Sequence, residues 1–178
     1  QLWVKIVSPP SCLDGATPIV DPADGTTLSV KERWLLGKSF NVWSRLEDGS
    51  TGICSALPPQ QYPEEQIYEV TFRPERTIRV TGGHRLWTGA AYRDLLAIRK
   101  EMELSGPYPV LVITDPSKSG SITTEVIVKI SPLKVDHYYD FQVPWIHNYW
   151  ACGLFHHNTG KSTLAEALSG NRKYILAK

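Results

Sequence analysis

Several features that define common protein classes are scarce or missing in this sequence. It contains three cysteines and one methionine among 178 residues. No CxxC pair occurs, so the usual ligand spacing of a zinc site is missing and we expect no metal. A sparse, odd set of cysteines also argues against a disulfide framework. It favours reduced thiols, as in the cytoplasm or another reducing compartment.

Strong charge of one sign is missing as well. The 19 Lys and Arg residues nearly balance the 18 Asp and Glu residues, which leaves a formal charge of +1. Without a basic field we expect no nucleic-acid partner. No apolar run is long enough to cross a bilayer, so we expect no membrane partner either. A composition of 42% hydrophobic and 21% charged residues is typical of a globular protein with one sizeable core.

Short strand-like segments separated by Gly, Pro and Asp fill the middle of the chain, and their density predicts an all-β fold. They are TPIVDP, SFNVWSRL, IYEVTF, TIRVTG, YPVLVIT, EVIVKI and HYYDFQV. Helix-like spacing occurs over Gly89–Leu104 and again, in a second short helix, over Val30–Leu36. Residues Ser55–Gln66 have the composition of a proline-rich loop.

The segment GLFHHNTGK contains an asparagine with special chemistry. Asn158 is followed by the small Thr159. An asparagine amide can attack its own backbone carbonyl, which forms a succinimide and breaks the chain, but the unassisted reaction is slow. A histidine beside it can protonate the leaving nitrogen or polarise the carbonyl. His157 immediately precedes Asn158 and is the candidate for that role, whereas we interpret His156 as structural.

The segment PPSCLDG near the other end contains a candidate nucleophile. The thiolate of Cys12 can attack the carbonyl of Ser11 and convert that peptide bond to a thioester. The step needs help at the departing nitrogen. VTGGHRLWT supplies Thr81 and His84 at the end of a predicted strand, and the two glycines between them permit a tight turn.

A third segment, YYDFQVPWIHNYWACG, adds two candidate residues on either side of a proline turn. Asp140 can handle protons near the Cys12 sulfur, and His147 can act on the Asn158 carbonyl. Structural roles are the alternative for both. Cys54 and Cys152 are interpreted as small buried hydrophobes, although a disulfide between Cys152 and Cys12 would switch off any chemistry of Cys12.

Together these segments resemble the conserved blocks of the inteins, in the order expected for that family. CLDGATPIV resembles the N-terminal block, TGGH the second block, and YDFQVPWIHNYWACGLFHHN followed by Thr159 the two C-terminal blocks. The resemblance implies a Hedgehog/intein fold, a horseshoe-like β domain whose ends meet at one active site. It divides the chain into host residues 1–11, an intein at 12–158 and host residues 159–178.

The reaction implied by the resemblance is single-turnover protein splicing. Cys12 forms a thioester, Thr159 attacks it to give a branched ester, Asn158 cyclises, and the ester rearranges to a peptide bond. The resemblance implies that no cofactor is needed and that the chain acts on its own flanking sequences. We therefore expect a monomer. We also expect it in a microbe or a phage-infected cell. Nothing in residues 85–136 resembles the LAGLIDADG motif of homing endonucleases, which predicts a mini-intein.

The flanking residues offer an independent test of this division. Joining residues 1–11 to 159–178 gives SPPSTGKST, which resembles the phosphate-binding loop GxxxxGK[ST] with a serine at its first glycine. Gly160, Lys161 and Ser162 would form the second half of that loop. The predicted strand, loop and helix are complete only after excision.

Two other functions remain as alternatives. The TGKST segment suggests a fragment of a P-loop NTPase, but in the uncut sequence FHHNT precedes Gly160 and no phosphate loop is formed. An autoprocessing domain that cleaves without ligating is the second alternative. The Asn158–Thr159 pair argues against it, because Hedgehog-type relatives do not require asparagine cyclisation.

Overall fold

The computed structural model describes residues 11–118 and 120–158. The predicted roles of Thr159, Gly160, Lys161 and Ser162, and the predicted strand that precedes Ser11, lie outside these residues.

Within the described residues the chain is built mainly of strands, which confirms the predicted all-β class. The strands are β1 (Leu13–Asp14), β2 (Pro18–Val20), β3 (Thr27–Ser29), β4 (Phe40–Arg45), β5 (Thr51–Ala56), β6 (Gln60–Arg73), β7 (Arg76–Thr81), β8 (Arg85–Trp87), β9 (Tyr92–Asp94), β10 (Tyr108–Ile113), β11 (Ile122–Asp140), β12 (Asn148–Ala151) and β13 (Leu154–His157). The helices are α1 (Val30–Leu36) and α2 (Leu95–Ser105).

The largest sheet has five strands in the order β1-β7-β6-β11-β10. Its frame is the antiparallel pair of β6 and β11, which are 14 and 19 residues long. The short strand β1 pairs with β7 and also with β11. The N-terminal end of the described chain is therefore held between two strands of the sheet.

The second sheet has the order β12-β13-β8-β9, and the pairs β2-β3 and β4-β5 complete the strand pairings. Buried apolar residues from all four sheets form one core, including Leu13, Ile19, Val42, Val70, Phe72, Leu86, Val112, Ile127, Phe141 and Tyr149. Strand β13, which leads to Asn158, pairs with β8 and β12, so its position is fixed from both sides.

Helix α1 has the predicted bounds, Val30–Leu36, and its sequence explains both ends. Ser29 and Glu32 form a reciprocal capping box at the N-terminus. Gly37 ends the helix in the left-handed conformation, with φ of 63°.

The second helix begins later than predicted. It covers Leu95–Ser105, whereas Tyr92–Asp94 form strand β9, so the prediction of a helix from Gly89 was wrong. Gly89 has φ of 106°, which a right-handed helix cannot accommodate. The turn there folds β9 back onto β8, and the rings of Trp87 and Tyr92 pack with centroids 5.0 Å apart.

The predicted loop at Ser55–Gln66 was also largely wrong, because β6 begins at Gln60. Proline is tolerated in that strand because of an irregularity in the pairing with β11. Tyr62 lies opposite Tyr138 and Glu64 opposite His137, which leaves Pro63 as the extra residue of a bulge. The missing N–H of Pro63 therefore interrupts no regular pairing.

Neither helix in the described ranges is both long enough and apolar enough to cross a membrane.

Candidate active site

Strand β1 places Cys12 between two of the predicted site residues. Leu13 lies opposite Tyr139 on β11 and opposite Val80 on β7. Both pairings are antiparallel, so the preceding residue, Cys12, lies beside Asp140 on one side and Thr81 on the other. Three predicted site residues, far apart in sequence, are brought together by this pairing.

The backbone of Cys12 is bound to Thr81 through three contacts. The Cys12 N–H donates to Thr81 Oγ1 at 2.9 Å, and the Cys12 carbonyl accepts from the Thr81 N–H at 3.0 Å and from Thr81 Oγ1 at 3.3 Å. Both residues are buried. The nitrogen of the peptide bond that links Ser11 to Cys12 is therefore held against a side-chain hydroxyl in a dry site.

Burial raises the pKa of the Cys12 thiol well above its ordinary value, and the nearby Asp140 carboxylate raises it further. Asp140 is itself held in place, because its carboxylate accepts from the Phe141 N–H at 2.9 Å and from Gln142 Nε2 at 3.3 Å. The resting thiol is accordingly protonated near neutral pH. A group that accepts its proton is needed before the sulfur becomes a strong nucleophile.

His84 lies just after β7 and is fully buried. Its Nε2 is 2.6 Å from Nδ1 of His156, and its own Nδ1 has no hydrogen-bond partner among the described residues. Burial lowers the pKa of His84 well below its ordinary value, and the nearby His156 and His157 lower it further. The imidazole is therefore neutral near pH 7.

Asn158 lies at the end of β13 with its side chain buried. Its N–H donates to the His147 carbonyl at 2.8 Å, and its Nδ2 donates to the Phe141 carbonyl in a short contact. Asn158 Oδ1 is buried and has no hydrogen-bond partner among the described residues. The side-chain amide for which the sequence predicts cyclisation is therefore shielded from water and held by one backbone carbonyl.

Two further histidines lie close to Asn158. His147 follows the proline turn and adopts a left-handed backbone conformation, with φ of 56°. In the part of the chain that the structure describes, Nδ1 of His147 and Nδ1 of His157 are both buried without a hydrogen-bond partner. Burial lowers the pKa of His157, and the charges of Arg85 and His147 add to this effect.

The two predicted junctions are in direct contact. Ser11 Oγ donates to the backbone carbonyl of His157 at 3.2 Å. The residue before Cys12 therefore lies beside the residue before Asn158. Such an arrangement permits a group attached to one junction to be transferred to a nucleophile at the other.

The disulfide between Cys152 and Cys12 that the sequence left open is not formed. Cys12 is buried and Cys152 is partly buried. All three thiols are free.

No group of His, Cys, Asp and Glu side chains in the described ranges is arranged to hold a metal ion.

The sequence interpretation missed two contacts of the site. His156 contacts His84, although it was interpreted as structural. The sequence signal for this contact was the alternation of side chains along the strand LFHH. Alternation places His156 and His157 on opposite faces of β13, so the two histidines must have different neighbours. Tyr92 packs against His157 with ring centroids 4.7 Å apart, and only the hairpin of β8 and β9 brings it there.

The sequence matches no protein-family model and no curated protein. Solved intein structures do match. A crystal structure of the Ssp DnaB mini-intein variant M86 aligns with a TM-score of 0.70 and 22% identity over 85% of this chain and 97% of that chain.

Two further intein structures align with similar TM-scores and identities. The DnaB intein from Synechocystis sp. PCC 6803 aligns with a TM-score of 0.68 and 22% identity over 83% of this chain and 98% of that chain. The DnaX mini intein from Spirulina platensis aligns with a TM-score of 0.64 and 20% identity over 83% of this chain and 100% of that chain. The chain therefore has the all-β Hedgehog/intein fold that its sequence motifs predicted.

Proposed function

We propose that this chain splices itself as a mini-intein, excising residues 12–158 and joining Ser11 to Thr159. The observation that carries the proposal is the hydrogen bond from Ser11 Oγ to the His157 carbonyl, because it joins the two junctions at one site. The intein fold supports the same conclusion. No cofactor or energy source enters the reaction, since each peptide bond broken is replaced by an equivalent acyl bond.

The first step is an acyl shift from nitrogen to sulfur. Cys12 Sγ attacks the Ser11 carbonyl carbon, the bond from that carbon to the Cys12 nitrogen breaks, and a thioester forms. Asp140 accepts the thiol proton, the proton passes to the unprotonated Nδ1 of His84, and His84 delivers it to the departing nitrogen. The proton lost by sulfur is therefore the one gained by nitrogen, and both Asp140 and His84 return to their starting state. Thr81 holds the nitrogen in position through Oγ1.

The second step transfers the acyl group to the other junction. The Thr159 hydroxyl attacks the thioester carbonyl, its proton passes to the released Cys12 thiolate, and an ester of Ser11 forms on Thr159. The contact between Ser11 and His157 supports this step, because it keeps the acyl group within two residues of the attacking threonine.

The third step releases the intein. Asn158 Nδ2 attacks the Asn158 carbonyl carbon, the bond to the Thr159 nitrogen breaks, and a succinimide forms. Nδ2 loses one proton and the Thr159 nitrogen gains one, and we assign His157 and His147 as the base and the acid. The freed Thr159 amine then attacks its own ester, and this shift from oxygen to nitrogen restores a peptide bond.

Cleavage without ligation is the second candidate function. The buried, sequestered amide of Asn158 argues against it, because a chain that only hydrolyses its thioester has no use for a shielded asparagine at the other junction. A P-loop NTPase fragment gains no support from the fold.

Time-resolved intact-mass spectrometry of the freshly expressed chain tests the proposal. Splicing yields the free residues 12–158, ending in a succinimide or in Asn158, and the joined peptide of residues 1–11 and 159–178. The matched control is Cys12→Ala with Asn158→Ala, which must stay intact. Hydrolysed flanks without any joined peptide would establish cleavage without ligation and overturn the proposal.

A further inference from the structure

His156 and His84 form a buried imidazole pair that connects the two halves of the site. His84 Nε2 lies 2.6 Å from His156 Nδ1, and His156 Nε2 lies 2.9 Å from the Ala151 carbonyl. Both rings are fully removed from solvent. The ring of Tyr149 stacks on His156 with centroids 5.2 Å apart and planes within 5°, which fixes the plane of the imidazole.

The hydrogen-bond pattern determines which nitrogen of each ring carries the proton. A backbone carbonyl can only accept, so His156 Nε2 must be the donor to Ala151. Burial lowers the pKa of His156 to about 4, so the ring is neutral near pH 7 and its Nδ1 is an acceptor. His84 Nε2 must then be the donor in the contact between the two rings. The proton-free nitrogen of His84 is therefore Nδ1.

We infer that His156 is a positioning residue for the first chemical step, holding His84 in the tautomer whose Nδ1 can take up the proton released by the Cys12 thiol and pass it to the Cys12 nitrogen. This inference rests on the proposed splicing function. His156 touches no reacting atom and acts through His84. The opposite tautomer would carry a proton on Nδ1 in the resting state and leave His84 unable to accept one there.

The pair of His156 and His84 also connects the strand of one junction to the chemistry of the other. His156 belongs to β13, the strand that ends at Asn158, whereas His84 assists the chemistry of Cys12. The strand that carries the C-terminal junction therefore supplies a part of the N-terminal step. His157, the neighbour of His156, lies on the other face of the strand and contacts Tyr92 instead.

The experiment uses the full chain with Asn158→Ala, so that the reaction stops at the thioester and added thiol cleaves between Ser11 and Cys12. Three variants of His156 separate its hydrogen bonds. His156→Asn keeps an acceptor oxygen at the position of Nδ1. His156→Gln keeps a donor near Ala151 but removes the acceptor beside His84, and His156→Leu removes both.

We expect thiol-induced cleavage to be about 10- to 100-fold slower in the Gln and Leu variants, as when other orienting partners of a histidine are removed. The Asn variant should retain a rate close to that of the parent. Nitrogen-15 NMR of labelled histidine should show an unprotonated His84 Nδ1 in the parent and in the Asn variant. The Gln and Leu variants should show a mixture of tautomers.

A second readout separates positioning from folding. In chains with Cys12→Ala, the same three His156 variants should leave Asn158 cyclisation at its parent rate. Equal slowing of both junctions, or equal rates in all three variants, would overturn the inference while leaving splicing intact. Failure of the Asn158→Ala parent itself to cleave with thiol would instead overturn the proposed function.

Discussion

Ser11 and His157 are 146 positions apart in sequence, yet the Ser11 hydroxyl donates to the His157 carbonyl at 3.2 Å. Both residues immediately precede a residue predicted to react, Cys12 or Asn158. The contact therefore holds close together the two junctions between which the proposed reaction transfers an acyl group. Because the two junctions depend on different side chains, substitutions should affect them separately.

Replacing His84 by Ala should slow thioester formation by about 10²–10⁴-fold, the usual contribution of a general acid or base. Replacing His147 by Ala should instead slow Asn158 cyclisation, because His147 lies at that junction. Thiol-induced cleavage in chains with Asn158→Ala measures the first step, and C-terminal cleavage in chains with Cys12→Ala measures the second. Equal losses at both junctions in both variants would indicate a folding defect and contradict the assignment.

Thr81→Val should slow thioester formation by roughly 10- to 100-fold. Valine has nearly the same shape but leaves the buried Cys12 N–H without its acceptor, which costs about 1–3 kcal/mol. Thr81→Ser is the matched control, since it restores the hydroxyl and should recover most of the rate. Thiol-induced cleavage is the measurement, and a Ser variant as slow as the Val variant would refute the role of the hydroxyl.

Asp140→Asn should lower the pKa of the Cys12 thiol, because the carboxylate is the second cause of its elevation. The pKa should stay above its ordinary value, since burial is the larger cause. Ultraviolet titration of the thiolate measures this in chains where Cys54→Ser and Cys152→Ser leave Cys12 as the single thiol.

The same variant should nevertheless form the thioester about 10²-fold or more slowly, because it lacks the group that accepts the thiol proton. A more acidic thiol combined with a slower step distinguishes a proton acceptor from a purely electrostatic neighbour. An Asp140→Asn chain that reacts faster than the parent would contradict the assignment.

Acid should destabilise the fold between pH 6.5 and about 4. Burial lowers the pKa of His156 from 6.5 to about 4, and it lowers the pKa values of His84 and His157 as well. The folded state prefers the neutral histidine rings. Their contribution to the free energy of unfolding is therefore fully present above pH 6.5, and it is lost as the pH falls to the pKa values that the rings have in the folded state. At about 1.4 kcal/mol for each pKa unit, His156 alone lowers the free energy of unfolding by about 3 kcal/mol at pH 4.

Urea unfolding of the intact Cys12→Ala, Asn158→Ala chain across this pH range measures the loss. Adding His156→Asn should flatten the pH dependence, because that variant has one titrating ring fewer. An unchanged slope would contradict the assignment of the lost stability to His156.

The host protein should bind ATP or GTP only after excision. In the precursor, Ser11 continues into CLDG and Gly160 follows HHNT, so the backbone N–H groups of the predicted phosphate loop cannot surround a phosphate. Nucleotide binding by the full host with Cys12→Ala and Asn158→Ala should be lost, relative to the same host built without residues 12–158. Comparable affinity of the two proteins would disprove the prediction.

The sequence alone predicted the chemistry at both ends of the domain. The reactions predicted for Cys12 and for the Asn158–Thr159 pair involve the adjoining backbone, so local sequence is sufficient to suggest them. It also predicted the strand-rich fold and the bounds of α1, because the capping residues Ser29 and Glu32 are local signals. It failed for the start of α2 and for the strand at Pro63, where pairing with a distant strand overrides local preference.

The tertiary structure alone decided which predicted residues meet. Cys12 lies beside Thr81 and Asp140 because β1 pairs with both β7 and β11, and no spacing in the sequence specifies that double pairing. His156 and His84 share a hydrogen bond because β13 is held between β8 and β12. Burial then sets the protonation of these groups, since desolvation depends on the packed surroundings of a side chain and not on its neighbours in the chain.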